Sequence, residues 1–252
     1  AYRKELALDL GSGEASDRYP GLTRDVTAQA LINTAIESED GEWVFHCYPM
    51  KDFPWTQSER RSWAGGFLLV NSSPALPHPN RYDIQLNQVE YVARQLEATG
   101  HRLDAVYLDS VVFGVGWGNY NFRREHWKYA QVPLTFARVN GKAVPALHNA
   151  LANAEFLAEF RRYCDEHKYA IFDNSWHPVI AYHIGYIDAL GAGEHVAADL
   201  LNPADLRTFR FLANRKPIST QDYRLSFPET TTEQMDARLN RGLMYGIYSG
   251  TS

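Results

Sequence analysis

Apolar residues in this chain fall into short, nearly continuous runs, separated by longer stretches with a helical period. Eight runs read as strands: Glu5 to Leu10, Trp43 to Tyr48, Gly66 to Val70, Ala105 to Leu108, Tyr169 to Phe172, Tyr186 to Leu190, Pro217 to Thr220 and Gly246 to Tyr248. Unbroken apolar runs of this length suit strands buried on both faces, as in parallel sheets. Between them the period lengthens. Arg24 to Ser38 follows Thr23, a natural N-cap. Tyr82 to Ala98 carries Ile84, Val89, Val92, Ala93 and Leu96 as one stripe and stops before Gly100. Asn149 to His167 lines up Ala152, Phe156, Phe160, Tyr163 and Cys164. Pro203 to Asn214 opens on a proline, and Thr232 to Met244 follows a capping box from Thr230 to Glu233.

Strand followed by helix, repeated over 252 residues, predicts an α/β fold. The most economical form is one (β/α)8, or TIM, barrel spanning 1–252, a fold of about 250 residues. Its first strand is weak, so the N-terminal part is compact or incomplete. Two connections are too long for simple links: Pro49 to Gly65 and Ser110 to Val144. Each follows a strand, which in a barrel places it on the catalytic face.

The chemistry sits at strand ends. Asp104 to Asp109 reads as a buried strand that closes on a carboxylate. Asp173 ends the next strand, Asp188 lies in the one after, and Glu194 and Asp222 follow the sixth and seventh strands. Two carboxyl groups flanking one bond are what glycoside hydrolysis requires. The loop after Asp109 offers Trp117, Asn121, Arg123, Arg124 and His126, a mixture of aromatic, amide and cationic groups that suits a polyhydroxylated or acidic ligand. Trp55, in the earlier long loop, is a second stacking candidate. The structural alternatives are ordinary ones: a carboxylate that caps or pairs, and aromatics that pin loops.

Composition narrows the classes. The net charge is −5, with 25 basic and 30 acidic residues interspersed, which argues against a nucleic-acid face and does not favour a membrane surface. Aromatics make up 13% of the chain, ample for stacking on sugar rings. The nine histidines form no metal-binding spacing, and there is no Cys-x-x-Cys or Gly-x-Ser-x-Gly. No metal or cofactor is expected, and Cys47 and Cys164 read as free thiols. The run Leu8 to Glu14, with Gly11 and Gly13, suggests a methyl-donor turn. It is followed by no clean helix and by no acidic residue at the tip of the next strand.

The run Leu103 to Ser110 resembles the strand-end signature of glycoside-hydrolase barrels, above all the α-galactosidase and α-glucosidase group and the endo-α-N-acetylgalactosaminidase-like group. Lys216-Pro217, Asn121 to His126 and Pro133 to Phe136 are similar to segments of uncharacterised relatives of these barrels. The resemblance implies Asp109 as nucleophile and Glu194, within Asp188 to Glu194, as acid, although the acid of the first group is usually Asp. It implies a retaining hydrolase of an oligo- or polysaccharide, with Glu194 protonated near neutral pH. Asp173, Lys216, Asn121, Arg123, Arg124 and His126 would contact substrate, and Trp55 and Trp117 would stack on it. The partner is a carbohydrate, and a secreted or periplasmic setting suits that reading. The rival is a non-catalytic carbohydrate-binding barrel, with a methyltransferase third.

Overall fold

The computed structural model describes residues 4, 21–49, 63–109, 120–173, 182–191, 203–221 and 231–250. The expected first strand, Glu5 to Leu10, lies outside these residues. Where one domain was expected over 1–252, the contacts gather into two compact units. The first is Ala1–His101 with Gly114–Phe156, and the second is Arg102–Phe113 with Leu157–Ser252.

In the first unit, α1 (Arg24–Thr34) starts on Thr23, whose hydroxyl accepts the Val26 N–H at 3.3 Å. The sequence suggested a helix to Ser38, but the chain turns extended at Ala35 and bridges to Val70, and Glu37 bridges to Trp43. The turn between them contains Gly41 at φ 78°. β1 (Phe45–Pro49) and β2 (Trp63–Leu68) follow and pair antiparallel, Phe45 opposite Leu68. This corrects the barrel reading at its second and third strands. Successive parallel strands need a crossover, whereas these two pair directly as a hairpin. The long connection expected from Pro49 to Gly65 therefore lies between two antiparallel arms, which already include Pro49 and Trp63 to Gly65, and does not follow a strand of the parallel sheet.

α2 (Arg81–Ala98) is closed at both ends. Asn80 accepts the Tyr82 and Asp83 N–H groups, and the Asp83 carboxylate accepts the Asn80 N–H at 2.8 Å, a capping box. At the other end Gly100 takes φ 78°. Its N–H bonds the Glu97 carbonyl while the His101 N–H bonds that of Leu96, at 3.0 and 2.9 Å, which satisfies two orphan carbonyls. Tyr82, Ile84, Val89 and Ala93 are buried, but Val92, expected on the stripe, is exposed.

The second unit carries the parallel sheet. β3 is Ala105–Leu108. The span expected as one loop after it, 110–144, holds β4 (Tyr120–Asn121), the short α3 (Arg124–Trp127) and the hairpin β5 (Thr135–Val139) and β6 (Lys142–His148) of the first unit. That hairpin turns on Asn140 and Gly141, both at positive φ (48° and 78°). An Asn-Gly pair is the preferred sequence for such a turn. α4 (Asn149–His167) is followed by β7 (Ala170–Asp173), a 3₁₀ turn at Ile184–Tyr186, β8 (Ala189–Gly191), α5 (Pro203–Ala213), β9 (Ile218–Gln221), α6 (Thr232–Met244) and β10 (Ile247–Gly250).

The five strands lie in the order β3-β7-β8-β9-β10, all pairings parallel. Spatial order follows chain order without reversal. In register, Leu108, Asp173, Leu190, Ile218 and Ile247 form one row across the sheet. All five are buried. The rest of α4 adds Leu157, Phe160 and Cys164 to the buried set. The buried Cys164 is a free thiol, pushed up to about 12 by burial first, with the Arg161 charge opposing.

Arg161 of α4 ties the unit together. Its guanidinium donates to Asp188 at 2.6 Å and to the Tyr169 carbonyl at 2.8 Å, and it pairs with Asp165. The same Asp188 oxygen accepts the Ile171 N–H at 2.7 Å.

Asn80→Ala should destabilise the protein by about 2 kcal/mol, because a cap is lost together with the bonds that the buried amide donates to the carbonyls of Leu76 and Pro74. Asn80→Ser, which keeps a capping oxygen but not those donors, should fall between. Urea unfolding midpoints at constant slope would show the order; equal midpoints for the alanine variant and the parent would contradict it.

Candidate active site at the carboxyl ends of the parallel strands

A parallel sheet presents all its carboxyl ends on one edge, and there α/β proteins gather their chemistry. Two acids occupy that edge side by side. Asp109 immediately follows β3 and is exposed. Asp173 ends β7, opposite Leu108 in register, and is fully buried. Adjacent strands lie about 4.8 Å apart, so the fold brings these two carboxyls to neighbouring strand tips. Asp173 is the single polar member of an otherwise apolar row. Glu194 lies outside the described residues, as do Trp55, Trp117 and Asp222.

The remaining candidates do structural work. Lys216 precedes β9, and its ammonium donates to the carbonyls of Ile184 at 2.5 Å and of Ile187. Burial lowers its pKa, with Asp188 opposing and Arg161 reinforcing. It secures the 3₁₀ turn to the strand that follows.

Asn121, Arg123 and His126 belong to the first unit and use their polar atoms internally. The Asn121 oxygen accepts the N–H groups of Glu37 and Arg123, at 3.3 and 3.0 Å. The Arg123 guanidinium donates to the carbonyls of Ile32 and Ala35, at 2.8 and 3.1 Å, and lies 3.8 Å from the Glu37 carboxylate. His126 is 2% exposed. Its Nε2 donates to the Asn33 carbonyl at 3.0 Å, and its Nδ1 accepts from the side-chain amides of Asn121 at 2.9 Å and Asn71 at 3.4 Å. That pattern requires the neutral ring. Burial first, then the Arg123 charge, brings the imidazole down to about 4, against smaller opposing effects of the Asn33 carbonyl and Glu125. These three residues form a buried strap that holds the 121–126 segment to the end of α1. Arg124 is exposed, with its guanidinium 5.9 Å from the centre of the Trp127 ring.

The sequence reading overlooked two aromatic rings on the sheet itself. Tyr107 of β3 and Phe172 of β7 are register partners and stack at 5.3 Å between ring centres. The signal was present in the alternation from Asp104 to Asp109. Buried Val106 and Leu108 face one way, which turns Tyr107 the other.

Among the described residues no group of three His, Cys, Asp or Glu is disposed to hold a metal ion, and no helix among them is long and apolar enough to cross a membrane. Comparison with protein-family models, with curated proteins and with solved structures returns no match for this chain.

The strap makes a pH prediction. The unfolded chain binds a proton at His126 near pH 6.5, whereas the folded chain resists it to about 4. The contribution of this ring is therefore whole above pH 6.5 and is lost as pH falls from about 6.5 to about 4, on the order of 3 kcal/mol in total. His126→Gln should unfold more easily at pH 7 and show a shallower loss between pH 7 and 5 than the parent, as read from urea midpoints. Parallel pH profiles would refute the strap.

Proposed function

We propose that the chain is a glycoside hydrolase whose catalytic face is the carboxyl edge of the parallel sheet. In this proposal the sheet is the later part of an incomplete barrel of the (β/α)8 kind, since β1 and β2 pair antiparallel and are not its second and third parallel strands. The observation that carries it is Asp109, an exposed carboxylate at the carboxyl tip of a strand in a parallel sheet. The strand order supports the barrel. A doubly wound sheet reverses direction at a switch point, whereas barrel strands follow one another in chain order, as β3, β7, β8, β9 and β10 do. The unreversed order likewise weighs against the methyl-donor reading.

In the proposed mechanism the exposed Asp109 carboxylate attacks the anomeric carbon. The bond to the leaving oxygen breaks, and that oxygen takes a proton from the acid. Glu194, three residues beyond Gly191 at the end of β8, is the acid. In the second step it removes a proton from water, which displaces Asp109 from the sugar and regenerates both groups. Asp173, register partner of Leu108 and fully buried, supports the nucleophile's strand tip from the neighbouring strand and lies on the face away from Asp109.

A panel of aryl glycosides and oligosaccharides tests the reading. Asp109→Asn should fold normally and lose at least about a thousandfold in kcat, since shape is kept and the anionic nucleophile is not. A 2-fluoro glycoside of the cleaved sugar should leave a covalent adduct on Asp109, detectable by mass spectrometry. Glu194→Gln should spare substrates with good leaving groups far more than natural ones; equal losses on both kinds of substrate would remove Glu194 as the acid. Turnover by folded Asp109→Asn close to that of the parent would remove the assignment. Binding without any cleavage would show a carbohydrate-binding protein.

A further inference from the structure

Protein cores leave few voids larger than a water molecule, yet two apolar clusters of the first unit stand apart. One gathers Ala28, Ala35 and Trp43, with Leu31 and Leu68 against them; the other gathers Leu22, Ala30 and Ile84. A cleft of about 210 Å³ separates them, with Leu31 and Leu68 of the first cluster and Ala30 and Ile84 of the second in its wall. Local periodicity builds that wall. Thr27, Ala30, Leu31 and Thr34 recur at helical spacing along one face of α1. Leu68 and Val70 share a face of extended chain, which Val70 continues by bridging to Ala35. Arg81 and Ile84 lie about one turn apart on α2.

The wall is apolar apart from three side chains. Thr27 and Thr34 bring hydroxyls, but each spends its proton on its own helix, donating to the Thr23 carbonyl at 3.1 Å and the Ala30 carbonyl at 2.6 Å. Arg81 is half-buried and is the only charged residue in the wall. Its guanidinium donates to the neutral Gln85 side chain at 3.3 Å, and among the described residues it meets no carboxylate. Its other N–H groups remain to be given. We propose that this cleft binds a small apolar carboxylate, its body between α1, α2 and the Leu68–Val70 segment and its charge on Arg81. The site belongs to the first unit and is independent of the hydrolase reading.

Charge and size select the occupant. A neutral apolar molecule would fill the cleft but take water from the guanidinium and return no partner. An amine would meet like charge. A phosphate dianion carries more charge than one guanidinium balances, and the threonine protons are already spent. A carboxylate accepts from the guanidinium with both oxygens at once. The volume exceeds the ~150 Å³ of an engineered apolar cavity that holds benzene. One ring, or one short chain, carrying a single carboxylate therefore fits. Water is a poor filler for the deeper part, where the hydroxyl oxygens of Thr27 and Thr34 are the polar groups on offer.

The experiment titrates the whole chain at pH 7 with phenylacetate and octanoate, and with 2-phenylethanol and 2-phenylethylamine as neutral and cationic counterparts. Calorimetry and ligand-observed NMR read the binding. The carboxylates should bind with Kd of about 1 mM or below, the alcohol about tenfold more weakly, and the amine not at all. Arg81→Gln should weaken both carboxylates about tenfold and leave the alcohol unchanged. Glutamine is a good helix former, and removing a cation from the first turn suits the helix dipole, so the fold is kept. Val70→Phe and Leu31→Phe each place a ring in the cleft, from different walls. Whichever of them melts like the parent should bind none of the probes.

Equal affinity for phenylacetate and 2-phenylethanol, or carboxylate binding untouched by Arg81→Gln, overturns the proposal. Carboxylate binding that survives in a stably folded Val70→Phe or Leu31→Phe puts the ligand elsewhere and overturns it as well. So does the failure of every probe to bind the parent at up to about 10 mM. Tighter binding of phenylacetate than of octanoate would mark an aromatic occupant and the reverse an aliphatic one; either supports a carboxylate site. None of these readouts uses glycan cleavage, so the outcome is separate from the fate of Asp109 as nucleophile.

Discussion

One oxygen of Asp188 meets a guanidinium from α4 and the backbone N–H of Ile171 from β7, while its own residue stands immediately before β8. Three elements are therefore referenced to a single atom. Slipping β7 by one residue against β8 would break the Ile171 bond and turn every side chain of β7 to the opposite face. Asp173 would leave the buried row and Phe172 would leave Tyr107. The arrangement of chemical groups at the carboxyl edge is thus a consequence of an ion pair that never approaches that edge. Arg161 also bonds the Tyr169 carbonyl, so the chain leaving α4 enters β7 at a set position.

Register also explains how neighbouring strand tips can offer two carboxyls in opposite surroundings. Leu108 on one side and Leu190 on the other enclose Asp173, while Asp109 lies one step beyond the ladder and meets solvent. A single residue of stagger separates a shielded acid from an accessible one.

Much of the second unit was legible because local signals agreed with long-range ones. Ala105–Leu108, Asn149–His167 and Thr232–Met244 begin and end in the structure where apolar period, caps and breakers placed them. The first unit was misread in the direction of β1 and β2 and in the existence of β5 and β6, which fall where one long loop was expected. An apolar run such as Trp43 to Tyr48 does not state whether its partner runs with it or against it; only the connection does, and Asp40-Gly41 and Asn140-Gly141 were the tight-turn signals left unused. The site was half legible for a related reason. Composition showed that 121–126 is rich in polar groups, but not that Asn33, Asn71 and the carbonyls at the end of α1 absorb them. Partners 55 and 93 residues away leave no mark in a local window, and a buried strap then looks the same as a binding loop.

β5 stands at the end of the order β4-β6-β5 and exposes Phe136 at 67% and Leu134 beside it. A strand in that position offers backbone donors and acceptors to any passing chain. Arg138 two residues on and Lys142 across the turn, both exposed, set charge against such pairing. Self-association through this edge is consequently opposed by a few exposed side chains. Crowding and ionic strength would tune self-association through that hairpin, since salt that screens Arg138 and Lys142 removes the guard and not the edge.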